Sequence, residues 1–187
     1  MAEFVNSIDV VGDDALVDSI ISRTITEFKD NTLITIGGNA FASCANLITV
    51  DIPAVTVIES EGFRDCLKLE TVNIPSVTTI NGAFYYSKKL TTVDAPKLVS
   101  MKGWSSFGYG VLQTLILRST SMCTSESADT LIGTPIARGT GYIYVPSALI
   151  NSYKVATNWS VYASQFRALE NYTVDGTTTG ELDPNKI

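Results

Sequence analysis

One spacing governs this sequence: a set of apolar, cysteine and proline positions returns every 22 residues. Ile36, Phe41, Cys44, Leu47, Val50, Ile52, Pro53 and Val55 recur as Ile58, Phe63, Cys66, Leu69, Val72, Ile74, Pro75 and Val77, each displaced by 22. A third copy reads Ile80, Phe84, Ser87, Leu90, Val93, Ala95, Pro96 and Leu98. It is displaced by 22 at its first position and by 21 afterwards, which a single deletion after Ile80 explains. A fourth is looser, with Met101, then Trp104 or Phe107 competing for the aromatic slot, then Leu112, Leu115 and Leu117, and Arg118 where proline stood. After a Ser/Thr-rich excursion from Ser119 to Gly141, a fifth survives as the strand Ile143-Tyr144-Val145-Pro146.

A fixed period of this length predicts a stacked array of about five coils. Within each coil, Leu-x-x-Val-x-Ile-Pro reads as a short strand. Val50 and Ile52 share one face, Thr49 and Asp51 the other, and proline stops the strand from lengthening. The remainder of the coil turns the chain back across the core, with Ile58 and Phe63 inward and Gly37, Gly62 or Gly82 easing the corners. One coil offers six to eight inward side chains at about 1.5 to 3 kcal/mol each, whereas ordering its backbone costs about 1 to 2 kcal/mol per residue. No coil folds alone, so stacking is obligatory and like positions must form ladders, Cys44 over Cys66 over Ser87 among them.

The repeat Ile-Gly-x-x-Ala-Phe-x-x-Cys-x-x-Leu-x-x-Val-x-Ile-Pro, held by Ile36 to Pro53 and Ile58 to Pro75, resembles that of the BspA-like bacterial leucine-rich repeat proteins. The resemblance is specific over residues 33–117, weaker to 146, and extends to a carboxy-terminal flank from Tyr142 to Leu169. It implies an α/β, β-rich, right-handed horseshoe-like solenoid with helical caps, and surface-exposed binding or adhesion roles without a reaction. Compact chains with an Asn158-Trp159-Ser160 cap and a Val174-to-Leu182 tail look similar to products of gut bacteria and their phages. That makes an extracellular place, at a cell surface or on a virion, the expectation from resemblance.

The composition narrows the chemistry. With 13 Lys plus Arg against 19 Asp plus Glu, the net charge of -6 would repel nucleic-acid phosphates, so nucleic acid is set aside as a partner. No apolar run approaches a bilayer span, and Met1 to Asn6 lacks the basic and apolar regions of a signal peptide, so neither membrane insertion nor an export signal is expected. Histidine is absent, which removes the commonest general base and metal ligand. Cys44, Cys66 and Cys123 are too few for a disulfide framework. The first two share a repeat position and read as inward-facing small hydrophobes rather than as a metal pair. Glu59 with Glu61, and Asp13 with Asp14, read as solvated or capping carboxylates. Asp175, Glu181 and Asp183 do not follow a calcium-loop order. No catalytic residue, metal ligand or cofactor is expected, and the chain is not read as an enzyme.

Four regions follow: an N-terminal cap and first strand over 1–32, the repeats over 33–146, a C-terminal helical cap over 147–171, and a polar tail over 172–187. Asp14 is placed to cap a helix bearing Leu16, Val17, Ile20 and Ile21. Pro146-Ser147 opens a helix with Leu149, Ile150 and Tyr153 on one face. Ser160 opens a second with Tyr162, Phe166 and Leu169, and Trp159 plugs the last coil between them. Asp175-Gly176 signals a turn in a hairpin or mobile tail.

Two surfaces are left as candidates for binding. The outward strand face carries Thr49, Thr71, Thr92, Thr114 and Tyr142 in one row, then Asp51, Asn73, Asp94, Ile116 and Tyr144 in the next. Its last members are apolar or aromatic and costly to leave in water. The second is an aromatic cluster at the third and fourth coils, Tyr85, Tyr86, Trp104, Phe107 and Tyr109, interleaved with glycines, of which some members must fill the core slot. A protein ligand on the strand face is the first expectation and a glycan on the aromatics the second. Attachment of a structural component through the tail is a third. Oligomeric state is not legible in the sequence.

Overall fold

The structure, a computed structural model, describes residues 10–12, 23–174 and 177–178. The helix expected around Leu16 to Ile21 lies outside these residues. Each coil contributes a strand to two parallel ladders. The back ladder runs β1 (Val10–Val11), β3 (Thr35–Ile36), β5 (Val57–Ile58), β7 (Thr79–Asn81), β9 (Ser100–Lys102) and β11 (Thr124–Ser125), in that order. The front ladder begins with β2 (Glu27–Lys29), β4 (Thr49–Asp51) and β6 (Thr71–Asn73), and resumes as β8 (Thr92–Asp94), β10 (Thr114–Ile116), β12 (Tyr142–Val145) and β13 (Phe166–Ala168). Between β6 and β8 no ladder hydrogen bonds form, so the front face is two sheets rather than one. Val72, on the rung before the break, is only partly buried where Val50 and Val93 are fully so.

The third side of each coil has no assigned strand or helix, yet its backbone is fully ordered by hydrogen bonds of two alternating kinds. Ala40, Ala42 and Cys44 donate N–H groups to carbonyls three residues back, while Asn39, Phe41 and Ser43 donate to Ser60, Gly62 and Arg64 of the next coil. The next coil repeats the scheme, Glu61, Phe63 and Asp65 bonding Asn81, Ala83 and Tyr85. The alternation requires peptide planes to flip, and the flips occur at left-handed residues in two columns: Asn39, Glu61, Gly82 and Gly103, then Ser43, Asp65, Tyr86 and Tyr109. Sequence reasoning assigned the corners to Gly37 and Gly62 as well as Gly82. Gly62 instead is needed for space, because a Cβ there would stand 3.0 Å from Ile58 and 3.2 Å from Ile36 of the coil before.

Inside, the aromatic slot forms a continuous ring ladder. Phe28, Phe41, Phe63, Phe84 and Phe107 follow one another at centroid separations of 4.5, 5.0, 5.6 and 5.4 Å. Phe107, not Trp104, fills the slot of the fourth coil, and at 2% exposure it leaves the surface cluster. Cys44, Cys66 and Cys123 are free and buried, and Cys66 donates its thiol to the Phe41 carbonyl at 3.2 Å. Burial pushes the Cys44 thiol up to about 11 and the Cys123 thiol up to about 12, so neither is a nucleophile near neutral pH.

The C-terminal cap closes the last coil with aromatic side chains whose polar tips meet its backbone. A 3₁₀ turn at Ser147–Leu149 leads into α1 (Ile150–Val155). Tyr153 Oη accepts the Cys123 N–H at 2.6 Å, and Trp159 Nε1 donates to the Cys123 carbonyl at 2.7 Å. Tyr162 Oη donates to Ala128 at 2.5 Å and accepts from Leu131 at 3.3 Å. Residues 123–131 thus find partners for backbone groups that a missing next coil would have bonded. The second expected helix is confined to a 3₁₀ segment at Ser160–Gln165, kinked at Tyr162. Phe166 and Leu169 are not helical neighbours of Tyr162: Phe166–Ala168 is β13, which pairs with β12 and extends the front ladder by a rung. The exposed hydrogen-bonding edge of β12 outcompeted a helix that the period alone favoured. In the tail, β14 (Thr173–Val174) pairs antiparallel with β15 (Thr177–Thr178); the turn expected at Asp175-Gly176 lies outside the described residues.

Candidate functional site

The front face has the register read from sequence at each paired rung. Thr49 faces Thr71, and Thr92, Thr114 and Tyr142 align, as do Asp94, Ile116 and Tyr144. The break between β6 and β8 divides both rows. The early half is polar and bonded to itself, Asn73 Nδ2 donating to Asp51 Oδ1 at 2.7 Å. Asp94 takes a bidentate grip from Arg118, whose Nε lies 2.9 Å and Nη2 2.7 Å from Asp94 Oδ2.

The late half is covered only in part. Ile116, expected to be exposed, is buried at 2%. The Tyr172 ring meets Tyr144 at 4.7 Å in a tilted arrangement, and burial together with the charge of Asp94 holds its phenol above the ordinary range. The segment just before the tail hairpin therefore lies along this part of the face, something the repeat pattern could not foretell. Tyr142 carries the Arg167 guanidinium 4.3 Å above its ring and remains 38% exposed. The tyrosines of the strand face thus have partners within the chain, and Tyr142 also keeps exposed surface.

The aromatic cluster behaves differently. Tyr85, Tyr86, Trp104 and Tyr109 lie together on the corner of the third and fourth coils. Tyr85 is 5.3 Å from Tyr86, 6.1 Å from Trp104 and 5.7 Å from Tyr109, while Trp104 is 6.3 Å from Tyr109. Among the described residues Trp104 is the most exposed aromatic at 52%, and Tyr86 and Tyr109 are each 37% exposed. The rings are nevertheless fixed. Trp104 Nε1 donates to Asp129 Oδ2 at 3.0 Å. Lys88 lies 3.8 Å above the Tyr86 ring while its ammonium donates to the Tyr109 carbonyl. Burial and the neighbouring Tyr109 and Tyr86 hydroxyls hold the Tyr85 phenol above its ordinary range.

Beside the cluster, a cleft of about 260 Å³ opens between coils. Its floor is made by Gly82 and Gly103, which occupy the left-handed column where Asn39 and Glu61 carry side chains. The cleft is lined also by Glu61, paired with Arg64, and by Trp104, Tyr85, Asn81 and Ser60. A Cβ on Gly103 would stand 2.4 Å from Asn81 Oδ1, so that part of the floor cannot carry a side chain without displacing the amide. Sequence reasoning set Glu61 aside as a solvated or capping carboxylate and passed over Arg64 and Asn81. The one available signal was the loss of a side chain at the repeat position of Asn39 and Glu61, at Gly82 and again at Gly103.

Among the described residues no group of three or more His, Cys, Asp or Glu is placed to hold a metal ion. Nor is any helix among them long and apolar enough to cross a membrane.

These features define a β-rich solenoid with a helical cap, of the leucine-rich-repeat class. The chain belongs to the BspA type leucine-rich repeat family, which matches residues 6–128 in six copies. It is similar in fold to the pneumococcal vaccine antigen PcpA, at 21% identity and a TM-score of 0.46, over 77% of this chain and 40% of that one. It is also similar to a leucine-rich cell surface protein of Faecalibacterium prausnitzii A2-165, at 19% identity and a TM-score of 0.44, over 84% of this chain and 44% of that one. The chain thus spans under half the length of either structure. No curated protein matches it.

Proposed function

We propose that this chain is a non-enzymatic binding module of the adhesion kind, displayed outside the cell, whose contact surface is the aromatic corner formed by Tyr85, Tyr86, Trp104 and Tyr109. The observation that carries this reading is backbone strain. Tyr86 and Tyr109 have φ of 64° and 55° at a column position where the earlier coils hold Ser43 and Asp65. A bulky residue in the left-handed region costs about 1 to 3 kcal/mol, and such strain concentrates at functional surfaces. Smaller residues fit this column elsewhere, yet it carries two large, half-exposed rings beside the most exposed tryptophan. The strand face is the second reading, supported by the exposed Thr71, Asn73 and Thr92.

The two surfaces separate in one experiment. Adsorption of the purified chain to immobilised mucin and to epithelial cells is compared with that of Tyr86→Ser/Tyr109→Ser and Tyr142→Ser/Tyr144→Ser variants, each confirmed folded by circular dichroism. The first pair is expected to lose binding and the second to retain it. The opposite pattern would transfer function to the strand face.

A further inference from the structure

Resting on the reading that the aromatic corner is the contact surface, we infer that the cleft beside Trp104 is a subsite for a neutral pyranose ring. Its construction is deliberate in the physical sense. The left-handed column of corner residues carries Asn39 and Glu61, then loses its side chains at Gly82 and Gly103. That loss opens a volume of about 260 Å³, below the roughly 300 to 1,000 Å³ of pockets for larger ligands and suited to one small ring.

The lining selects among occupants. Trp104 presents a half-exposed ring held in one orientation by its bond to Asp129, a platform for the C–H face of a sugar. The same cleft is lined by a carboxylate, a guanidinium and an amide from Glu61, Arg64 and Asn81. Together they supply acceptors, donors and a group that does both, as adjacent hydroxyls require. A metal ion finds no set of three or more His, Cys, Asp or Glu ligands among the described residues, and the cleft's carboxylate, Glu61, is already paired with Arg64. An anion meets an Arg64 already shared between Glu61 and Asp65, the latter at 3.3 Å, on a chain of net charge -6. A peptide helix or strand would need a row of apolar anchors, and the cleft offers two rings among glycines and polar groups. A nucleotide base would stack equally well, but its phosphates would be repelled.

A single ring in so small a site is expected to bind at about millimolar strength. Trp104 also reports on its own occupancy: Trp159, the other tryptophan, is 1% exposed and provides a constant background. The test is titration with methyl glycosides of neutral hexoses and N-acetylhexosamines, read by tryptophan emission and by saturation-transfer NMR. It is run on the wild type, Trp104→Ala and Glu61→Gln, with adsorption to mucin and epithelial cells measured in parallel.

NMR transfer to at least one glycoside, lost by tenfold or more in Trp104→Ala and weakened severalfold in Glu61→Gln, is the expected result, and the wild-type emission change should saturate with it. Transfer that survives both substitutions would place the sugar elsewhere and overturn the inference. No transfer to any glycoside, with adsorption still lost in Trp104→Ala, would overturn the pyranose assignment and leave the aromatic corner standing. No transfer, with adsorption untouched by Trp104→Ala and by the Tyr86/Tyr109 pair, would remove both.

Discussion

Replacing Phe63 with leucine tests whether the ring ladder is a coupled element or merely filled apolar volume. Phe63 is fully buried between Phe41, at 5.0 Å and 14°, and Phe84, at 5.6 Å and 5°. Leucine retains most of the burial, so the change of shape alone costs under about 1.5 kcal/mol. Losing two stacked partners adds about 0.5 to 1.5 kcal/mol for each. The expected destabilisation is therefore about 1 to 4.5 kcal/mol, which for a chain of this size lowers Tm by about 2 to 18 °C. Phe28 begins the described ladder and has one ring partner, Phe41, at 4.5 Å and a tilted 48°. Phe28→Leu carries the same cost of shape but loses one ring contact fewer, so it should cost about 0.5 to 1.5 kcal/mol less than Phe63→Leu, or roughly 1 to 6 °C less. Thermal melts followed by far-ultraviolet circular dichroism, with guanidinium titrations beside them, measure both. Equal shifts for the two variants would refute the coupling and reduce the ladder to ordinary hydrophobic filling.

Three further outcomes are expected. Ser43 sits exposed at a φ of 61°, so Ser43→Gly should raise stability by up to about 1 kcal/mol while Ser43→Ala changes little; equal effects in denaturant titrations would exclude backbone strain at this column. The thiols of Cys44 and Cys123 are held above their ordinary value near 9 by burial. The unfolded chain therefore ionises first, and stability should be flat below pH 9 and fall as pH rises from 9 toward 11, by up to about 1.4 kcal/mol per unit for each thiol; a flat denaturation midpoint over that window contradicts this. Tyr172→Ala should uncover Ile116, costing about 1 to 2 kcal/mol and raising binding of a hydrophobic dye; unchanged dye binding would show that Tyr172 does not cover the strand face.

The 22-residue period by itself determined the architecture. Recurrence of Ile, Phe, Cys, Leu, Val and Pro at fixed offsets leaves a chain no way to bury its inward residues except by stacking coils, and the paired rungs have the register the offsets give. The absence of histidine was equally legible, because it depends on composition alone. What the sequence could not settle were contests between positions remote along the chain. Phe107 took the core slot from Trp104 because the ring of Phe84 was waiting there, 5.4 Å away and nearly parallel.

Phe166–Ala168 became a strand rather than a helix turn because β12 offered an unpaired edge. Ile116 and Tyr144 are outward by the period-2 rule, yet Tyr172, 28 residues beyond Tyr144, packs against that face. The cleft likewise exists only where three coils meet, since it needs the missing side chains of Gly82 and Gly103, the Glu61–Arg64 pair and Trp104 at once. Periodicity fixes which face a residue occupies; only the folded chain decides what, from elsewhere in the sequence, comes to cover that face or leaves it open.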